Sequence, residues 1–419
     1  MTDPIIPQSD IDILRRLAER KRQIADDPVN RERRQAWLAH DAGSISRPMV
    51  LAEYCGVQEP HSPFAPQLTC QSDWARNWER SILAEFYQFD VLRDDHVIEP
   101  WMSVNWRIPY TNYGVEATVQ VGDNAGHPGS RRWDHPIQDL DADFAKLQPR
   151  TFSVDRAGTL EEKARMEKIF DGILPVCLRG GFYWTLGMTS TAIQLIGLEN
   201  LMLYMYDNPA GLHRLMTFLR DDHLAFTQWL ERDGLYSLNN ANDYIGSGSM
   251  GYSRDLPQPN SVPGAPVRRK DLWCLSESQE TVGVGPELFE EFIFPYQLSL
   301  AKQFGKCYYG CCEPVNNRWH VLKRMPNLAR VSVSPWADET FMAAACGRQV
   351  VYSRKPNPTL ISTGTFDENA IRADLRKTLN AAKGCRIELI MKDVHTLNNQ
   401  PERLPRWVQL ARETIDETA

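Results

Sequence analysis

Residues 348 to 393, RQVVYSRKPNPTLISTGTFDENAIRADLRKTLNAAKGCRIELIMKD, read as strand, helix and strand in one breath. RQVVYSRKP (348–356) and CRIELIMKD (385–393) are short runs rich in β-branched and apolar residues. Between them Thr365 and Glu368 have the spacing of a capping box, Ile371, Leu375 and Leu379 share one helical face, and Gly384 supplies the stop. A strand that returns through a helix to a second strand pairs with it in parallel.

The same alternation recurs upstream. Six further runs have strand character: RPMVLAEYC (47–55), DHVIEPWMSV (95–104), ILPVCLRG (173–180), LYSLNNAND (235–243), KCYYGCCE (306–313) and LARVSVSPW (328–336). With the first two they make eight, the number that closes a parallel barrel. Among the helices, PELFEEFIFPYQLSLAKQFG is expected to start at Pro286, to bury Leu288, Phe289, Phe292 and Tyr296, and to kink at Pro295. The fold class expected is therefore α/β, a (β/α)8 TIM barrel over residues 46–419, preceded by an N-terminal helical extension over 1–45. That extension reads as two helices lying on the outside of the domain, the first with Ser9 as its N-cap. Two long segments, 106–160 and the Gly- and Pro-rich 246–270, are expected as loops over the active face.

Composition narrows the function. With 42% hydrophobic and 24% charged residues the chain of 419 residues can bury a large core. A net charge of -7 gives no general attraction to nucleic acid or to anionic lipid. No apolar run spans a bilayer and the N-terminus lacks a secretion signal, so a cytoplasmic enzyme with no membrane partner is expected, as an ordinary homodimer. The nine scattered cysteines read as thiols.

Gly246, Gly248 and Gly251 match the dinucleotide pattern G-x-G-x-x-G, but YSRDLPQPNSVPG follows where the pattern requires a helix, so they mark a loop. No P-loop, G-x-S-x-G or H-E-x-x-H is present in the sequence.

The chemistry is expected at the strand ends. In YYGCCEPV (308–315) strict alternation would put Tyr309, Cys311 and Glu313 on one face and Tyr308, Gly310 and Cys312 on the other. The two cysteines can be read as metal ligands, as a nucleophile, or as small apolar residues in a core; a disulfide between neighbours would be strained. A thiolate with a carboxylate on its face suits zinc once further ligands arrive. In IELIMKDVHTL, Asp393 and His395 are candidates for that, with Lys392 on the opposite face. Asp243 and Asp338 are candidate proton carriers, Arg179 and Arg354 candidate carboxylate clamps, and Trp184 and Trp336 candidate pocket walls. Each also has an ordinary structural reading as a loop cap, a rim ion pair or core.

The blocks ILPVCLRGGFYWTLGMTSTAIQLIGLENL, LSESQETVGVGPELFEEFIFPYQLSLAKQFG, GCCEPVNNRW and RKPNPTLISTGTFDENAIRADLRKTL, in that order, resemble the uroporphyrinogen decarboxylase superfamily, which includes cobalamin-linked methyltransferases. The likeness covers roughly residues 165 to 415, and GCCEP with SPWAD and KPNP resembles an uncharacterised side branch. RPMVLAEYCGVQEPHSPF lacks the arginine-glycine-arginine block with which the decarboxylase holds its substrate. The methyltransferase branch holds zinc with a His-x-Cys on the fifth strand and a cysteine near the eighth; here Tyr309-Gly310-Cys311 and MKDVHT stand at those places.

The resemblance implies an enzyme that demethylates a small methoxylated or methylated compound toward a corrinoid or tetrahydrofolate acceptor, with a corrinoid protein as the partner in the first case. In that reading zinc lies among Cys311, Cys312, Glu313, Asp393 and His395; Asp243, Asp338 and His395 are catalytic; and Arg179, Tyr309, Trp184, Trp336, Glu277, Arg354 and Lys392 bind substrate. Metal-free decarboxylation or lyase chemistry on a small carboxylate, and a non-catalytic small-molecule binder, are the alternatives.

Overall fold

The computed structural model describes residues 6–44, 47–54, 63–122, 131–180, 185–262 and 264–418. Twelve strands are present among them: β1 Met49–Tyr54, β2 Met102–Asn105, β3 Thr118–Val121, β4 Arg131–Asp134, β5 Val176–Arg179, β6 Tyr244–Gly246, β7 Ser249–Met250, β8 Trp273–Ser276, β9 Lys306–Tyr309, β10 Leu328–Val333, β11 Val351–Arg354 and β12 Ile387–Val394. Six form one parallel sheet in the order β1-β12-β11-β10-β9-β8. β2 and β5 form a separate parallel pair. The ladders therefore do not join all eight parallel strands into the continuous ring expected. At the two edges of the large sheet other segments make the contact: Asp95 N donates to Val50 O at 2.8 Å, and Leu186 N donates to Leu275 O at 2.8 Å.

One expected strand is replaced. LYSLNNAND forms no ladder, because its asparagines satisfy backbone groups with side chains instead. Asn239 accepts from Trp273 N at 2.9 Å and donates to Trp273 O at 3.1 Å, doing with one amide what a strand does with its main chain. The strand is WCLS, β8, too short and too closely flanked by charged residues to stand out in the sequence.

Alternation sorts the large sheet into two faces. Val50, Ala52, Leu389 and Met391 join the outer core under the helices Glu368–Ala381 and Arg403–Thr418. Met49, Leu51 and Ile390 face inward with Trp37, Met250 and Tyr252, and Trp273, Leu275 and Tyr308 cluster with Ile245 and Leu256. The interior is thus filled by the β6–β7 hairpin. Residues 245 to 253 are buried, so the glycine-rich segment is a packed plug at its start and not a flexible loop. Its turn requires glycine: at Gly248, φ is +87° and an added Cβ would lie 2.6 Å from Ile390 Cγ2.

The N-terminal helices are α1, Gln8–Ala25, and α2, Pro28–Asp41. Ser9 lies inside α1, whose cap position is Pro7. α2 does not lie on the outside. Trp37 is fully buried and donates to Asp95 O at 2.8 Å, His40 bonds Ile387 O at 3.1 Å, and Asp41 pairs with Lys306 at 3.0 Å and Arg330 at 3.2 Å. It closes the end of the sheet at which the strands begin. Asp367, rather than Thr365, caps the helix Glu368–Ala381, accepting from Asn369 N and Ala370 N. The helix over 286–301 breaks at Ile293 as Pro295 requires, into Pro286–Phe292 and Phe294–Ala301.

Candidate functional site

With α2 at the starting ends of the strands, the open end is the one where they finish. β9 stops at Tyr309, and Gly310, with φ +95°, turns the chain out of the strand while its N–H still donates to Ser276 O at 2.8 Å. The alternation assumed from the sequence therefore ends before the cysteines. Cys311 is half-buried and Cys312 exposed, side by side at the mouth, with their sulfurs 3.6 Å apart. Cys311 is anchored from both sides: its carbonyl accepts from Ser332 Oγ at 2.7 Å and its N–H donates to Glu313 at 2.9 Å. Across the mouth, just before β12 ends at Val394, stand Lys392, buried, and Asp393, whose φ of +58° is unusual for a residue with a side chain. Cys312 Sγ lies 3.7 Å from Asp393 Oδ2, and Lys392 Nζ lies 3.8 Å from Asp393 Oδ1.

The electrostatics make the two thiols unlike. The Cys312 hydrogen bond pulls the Cys311 thiol below the usual cysteine range; burial, Glu313 and Asp393 oppose this, and Lys392 assists it. Cys312 is correspondingly held up by Cys311 and by burial. Burial works against the Lys392 ammonium, yet Tyr244, Cys311, Asp393 and Glu53 together raise its pKa. Lys355, one step past β11, is buried and its pKa falls to about 7, opposed by Glu388 but lowered further by Lys392. It donates to Tyr308 Oη at 2.9 Å and Ser353 Oγ at 2.8 Å. Burial raises Glu53, and burial with Glu280 and Glu313 nearby carries Glu277 to about 8. The mouth therefore offers a thiol inclined to ionise, two lysines, and the Glu277 carboxyl, which holds its proton to about pH 8.

The other residues singled out in the sequence lie elsewhere or do other things. Glu313 is fully buried and accepts from Ser278 N and Cys311 N, both at 2.9 Å, so it buttresses the turn rather than facing the mouth. Tyr309 points into the outer core, where its hydroxyl meets Gln297 Oε1 and Ser278 Oγ at 3.0 Å. Arg354 is on the same outer side, paired with Glu339 at 3.2 Å, because Ser353 and Lys355 take the inward positions. Asp338 is an exposed N-cap accepting from Phe341 N at 2.9 Å, and Trp336 is 70% exposed. His395 is exposed beyond the end of β12. Arg179 and Asp243 pair with each other in a separate recess of about 220 Å³ beside Glu99 and Trp101. Trp184 lies outside the described residues.

The ligand set that zinc would need is tested by these placements. Two thiols 3.6 Å apart are suitably spaced for one tetrahedral ion, but Glu313 is committed to backbone N–H groups, His395 is exposed, and among the described residues no group of three or more His, Cys, Asp and Glu is arranged to hold a metal. The described residues do not fit a resident zinc.

Sequence reasoning missed Lys355, Glu53 and Tyr244. Lys355 is readable: in SRKP, inward placement of Ser353 implies inward placement of Lys355 two residues on and outward placement of Arg354. Tyr244 comes from the inserted hairpin, whose path no local pattern reveals.

No protein-family model and no curated protein matches the sequence. Among solved structures, a methyltransferase from Methanosarcina mazei is similar over 91% of this chain and 98% of its own, at 11% identity and a TM-score of 0.49, which assigns neither a family nor an activity.

Proposed function

We propose that this protein transfers a methyl group from a small methoxylated or methylated compound to a one-carbon acceptor, with Cys311 as the reacting sulfur. The observation that supports this is the Cys311–Cys312 pair, 3.6 Å apart at the strand-end mouth, with Lys392 beside it to stabilise a thiolate on Cys311. The sulfur attacks the methyl carbon; the new S–C bond forms as the bond from carbon to the substrate heteroatom breaks, and the electron pair leaves with that heteroatom. Glu277, which keeps its proton to about pH 8, supplies the proton that neutralises the leaving group. In the second half the methyl group leaves Cys311, which departs as a thiolate, for the acceptor, a corrinoid or tetrahydrofolate: the N–H proton that a tetrahydrofolate acceptor releases returns to Glu277, whereas with a reduced corrinoid, which carries no such proton, Glu277 is reprotonated from water. Lys392 keeps the departing sulfur anionic. No step passes through a metal.

Decarboxylation of a small carboxylate is less well supported, because the arginine and aspartate it would use, Arg179 and Asp243, neutralise one another in their own recess.

The test is incubation with methoxylated and N-methylated compounds carrying deuterated methyl groups, followed by mass analysis of the peptide that contains Cys311. One labelled methyl on Cys311, lost in Cys311→Ser and kept in Cys312→Ser, is expected. Demethylation that continues in Cys311→Ser would overturn the proposal.

A further inference from the structure

The two thiols at the mouth are open to small solutes as well as to each other. Cys312 is exposed, Cys311 is half-buried, and their sulfurs stand 3.6 Å apart. The turn that carries them is braced: Gly310 leaves β9 with φ +95°, and Ser332 and Glu313 hold the Cys311 carbonyl and N–H. Cys312 Sγ also donates toward Asp393 Oδ2 at 3.7 Å, so a carboxylate is placed to receive the thiol proton. Other cysteines lack this setting. Cys70, Cys274, Cys307, Cys346 and Cys385 are buried, although Cys274 and Cys307 face each other across the ladder of β8 and β9. Burial raises the thiols of Cys70, Cys274, Cys346 and Cys385, which keeps them protonated and unreactive.

We infer that Cys311 and Cys312 form a modification site for hydroperoxides, in which peroxide oxidises Cys311 and Cys312 closes the oxidised sulfur into a disulfide that small thiols reopen. In the first step the Cys311 thiolate attacks one peroxide oxygen; the S–O bond forms as the O–O bond breaks, the sulfur is oxidised by two electrons to a sulfenic acid, and hydroxide leaves to be protonated by water. In the second, the Cys312 sulfur attacks the Cys311 sulfur, the S–S bond forms as the S–O bond breaks, and the hydroxyl leaves as water with the proton that Cys312 gives up through Asp393. The Cys312 hydrogen bond, with Lys392 assisting, favours the thiolate that starts the sequence.

The strain of a disulfide between neighbours is what makes this modification reversible. Consecutive Cα atoms are about 3.8 Å apart, whereas disulfides usually span about 5.5–6 Å, so the closed ring is readily reduced. Strained and exposed disulfides are the labile ones, suited to switching and not to bracing a fold. A disulfide sulfur is no longer an anionic nucleophile, so oxidation stops the proposed methyl transfer. Only that consequence rests on the transfer reaction; the oxidation does not depend on it.

The experiment treats the reduced full chain at pH 7 with a few equivalents of hydrogen peroxide, alkylates it with N-ethylmaleimide in denaturant and digests it with trypsin, which releases residues 307–318 with Cys307, Cys311 and Cys312. The expected peptide is two hydrogens lighter and carries one maleimide, on Cys307, in place of three, while Cys274 is alkylated in full. Dithiothreitol before alkylation should restore all three. In Cys312→Ser the second step is blocked, and dimedone present with the peroxide should label Cys311. Three maleimides after peroxide, a sulfinic acid on Cys311 beside an alkylated Cys312, or no dimedone on Cys311 in Cys312→Ser would overturn the inference. A disulfide that forms while methyl transfer continues undiminished in the oxidised protein would leave this site standing and sink Cys311 as the methyl-accepting sulfur.

Discussion

Lys355 Nζ donates to the Tyr308 hydroxyl at 2.9 Å, reaching from the end of β11 to β9 across the intervening β10. Both residues face the interior, and Ser353 Oγ, 3.1 Å from the same hydroxyl, completes the triangle. The contact ties together the strands that carry the mouth, and it does so with an ammonium group taken out of water.

That burial has a pH signature. Lys355 falls from 10.5 to about 7 on folding, so between these values the unfolded chain holds a proton that the folded chain has released. Stability contributed by this group therefore rises with pH through that window. The difference in melting temperature between wild type and Lys355→Met should favour the variant most at pH 6 and shrink toward pH 9. A difference independent of pH would show that Lys355 is not desolvated as described.

Cys311 and Cys312 should separate by reactivity. The lowered Cys311 thiol gives more thiolate at neutral pH than its neighbour, although Cys312 is the more exposed. Under limiting iodoacetamide at pH 7, peptide mapping should find Cys311 carbamidomethylated first, and Lys392→Met should slow it by several-fold. Faster labelling of Cys312 would mean that exposure, not ionisation, governs the pair.

The fold was largely readable from the chain because its strands are short apolar runs separated by helices with ordinary caps. Seven of the runs hold ladder strands, and β8 was hidden by its brevity. What failed was alternation carried past the end of a strand: Gly310 adopts a left-handed φ, which frees Cys311 and Cys312 from the parity of β9 and sends Glu313 under the turn. Arg354 and Asp338 looked like site residues because they sit near strand ends, a property shared by core ion pairs and helix caps. The hairpin plug depends on long-range close approach, at Gly248 to Ile390, for which local sequence has no period.

Glu277 gives the opposite slope from Lys355. Its carboxyl rises from 4.5 to about 8 on folding, so the stability it contributes is complete below pH 4.5 and is lost as pH rises through about 8. Glu277→Gln keeps the shape without the titration. Its melting temperature relative to wild type should increase from pH 5 to pH 9, and methyl transfer should fall at least tenfold if Glu277 supplies the proton. A constant offset in stability would place the Glu277 proton elsewhere.

Arg330 and Glu388 form the deepest charge pair, both with no exposure and 2.8 Å apart inside the large sheet. The guanidinium also donates to Met250 O at 2.6 Å and Ser249 Oγ at 2.7 Å, which fastens the hairpin plug, and it lies 4.8 Å over the Trp273 ring. Removing one member leaves a buried charge without its partner, at a cost of about 3–5 kcal/mol. Arg330→Met and Glu388→Gln should each lower the urea midpoint accordingly. The double variant should cost less than the sum, since neither leaves the other's charge exposed to a low-dielectric interior. Arg330→Lys should rescue little, because an ammonium cannot make the forked set of bonds that spans β12, β7 and α2. Strict additivity in the cycle would mean that Asp41, 3.2 Å from Arg330, carries the coupling in place of Glu388.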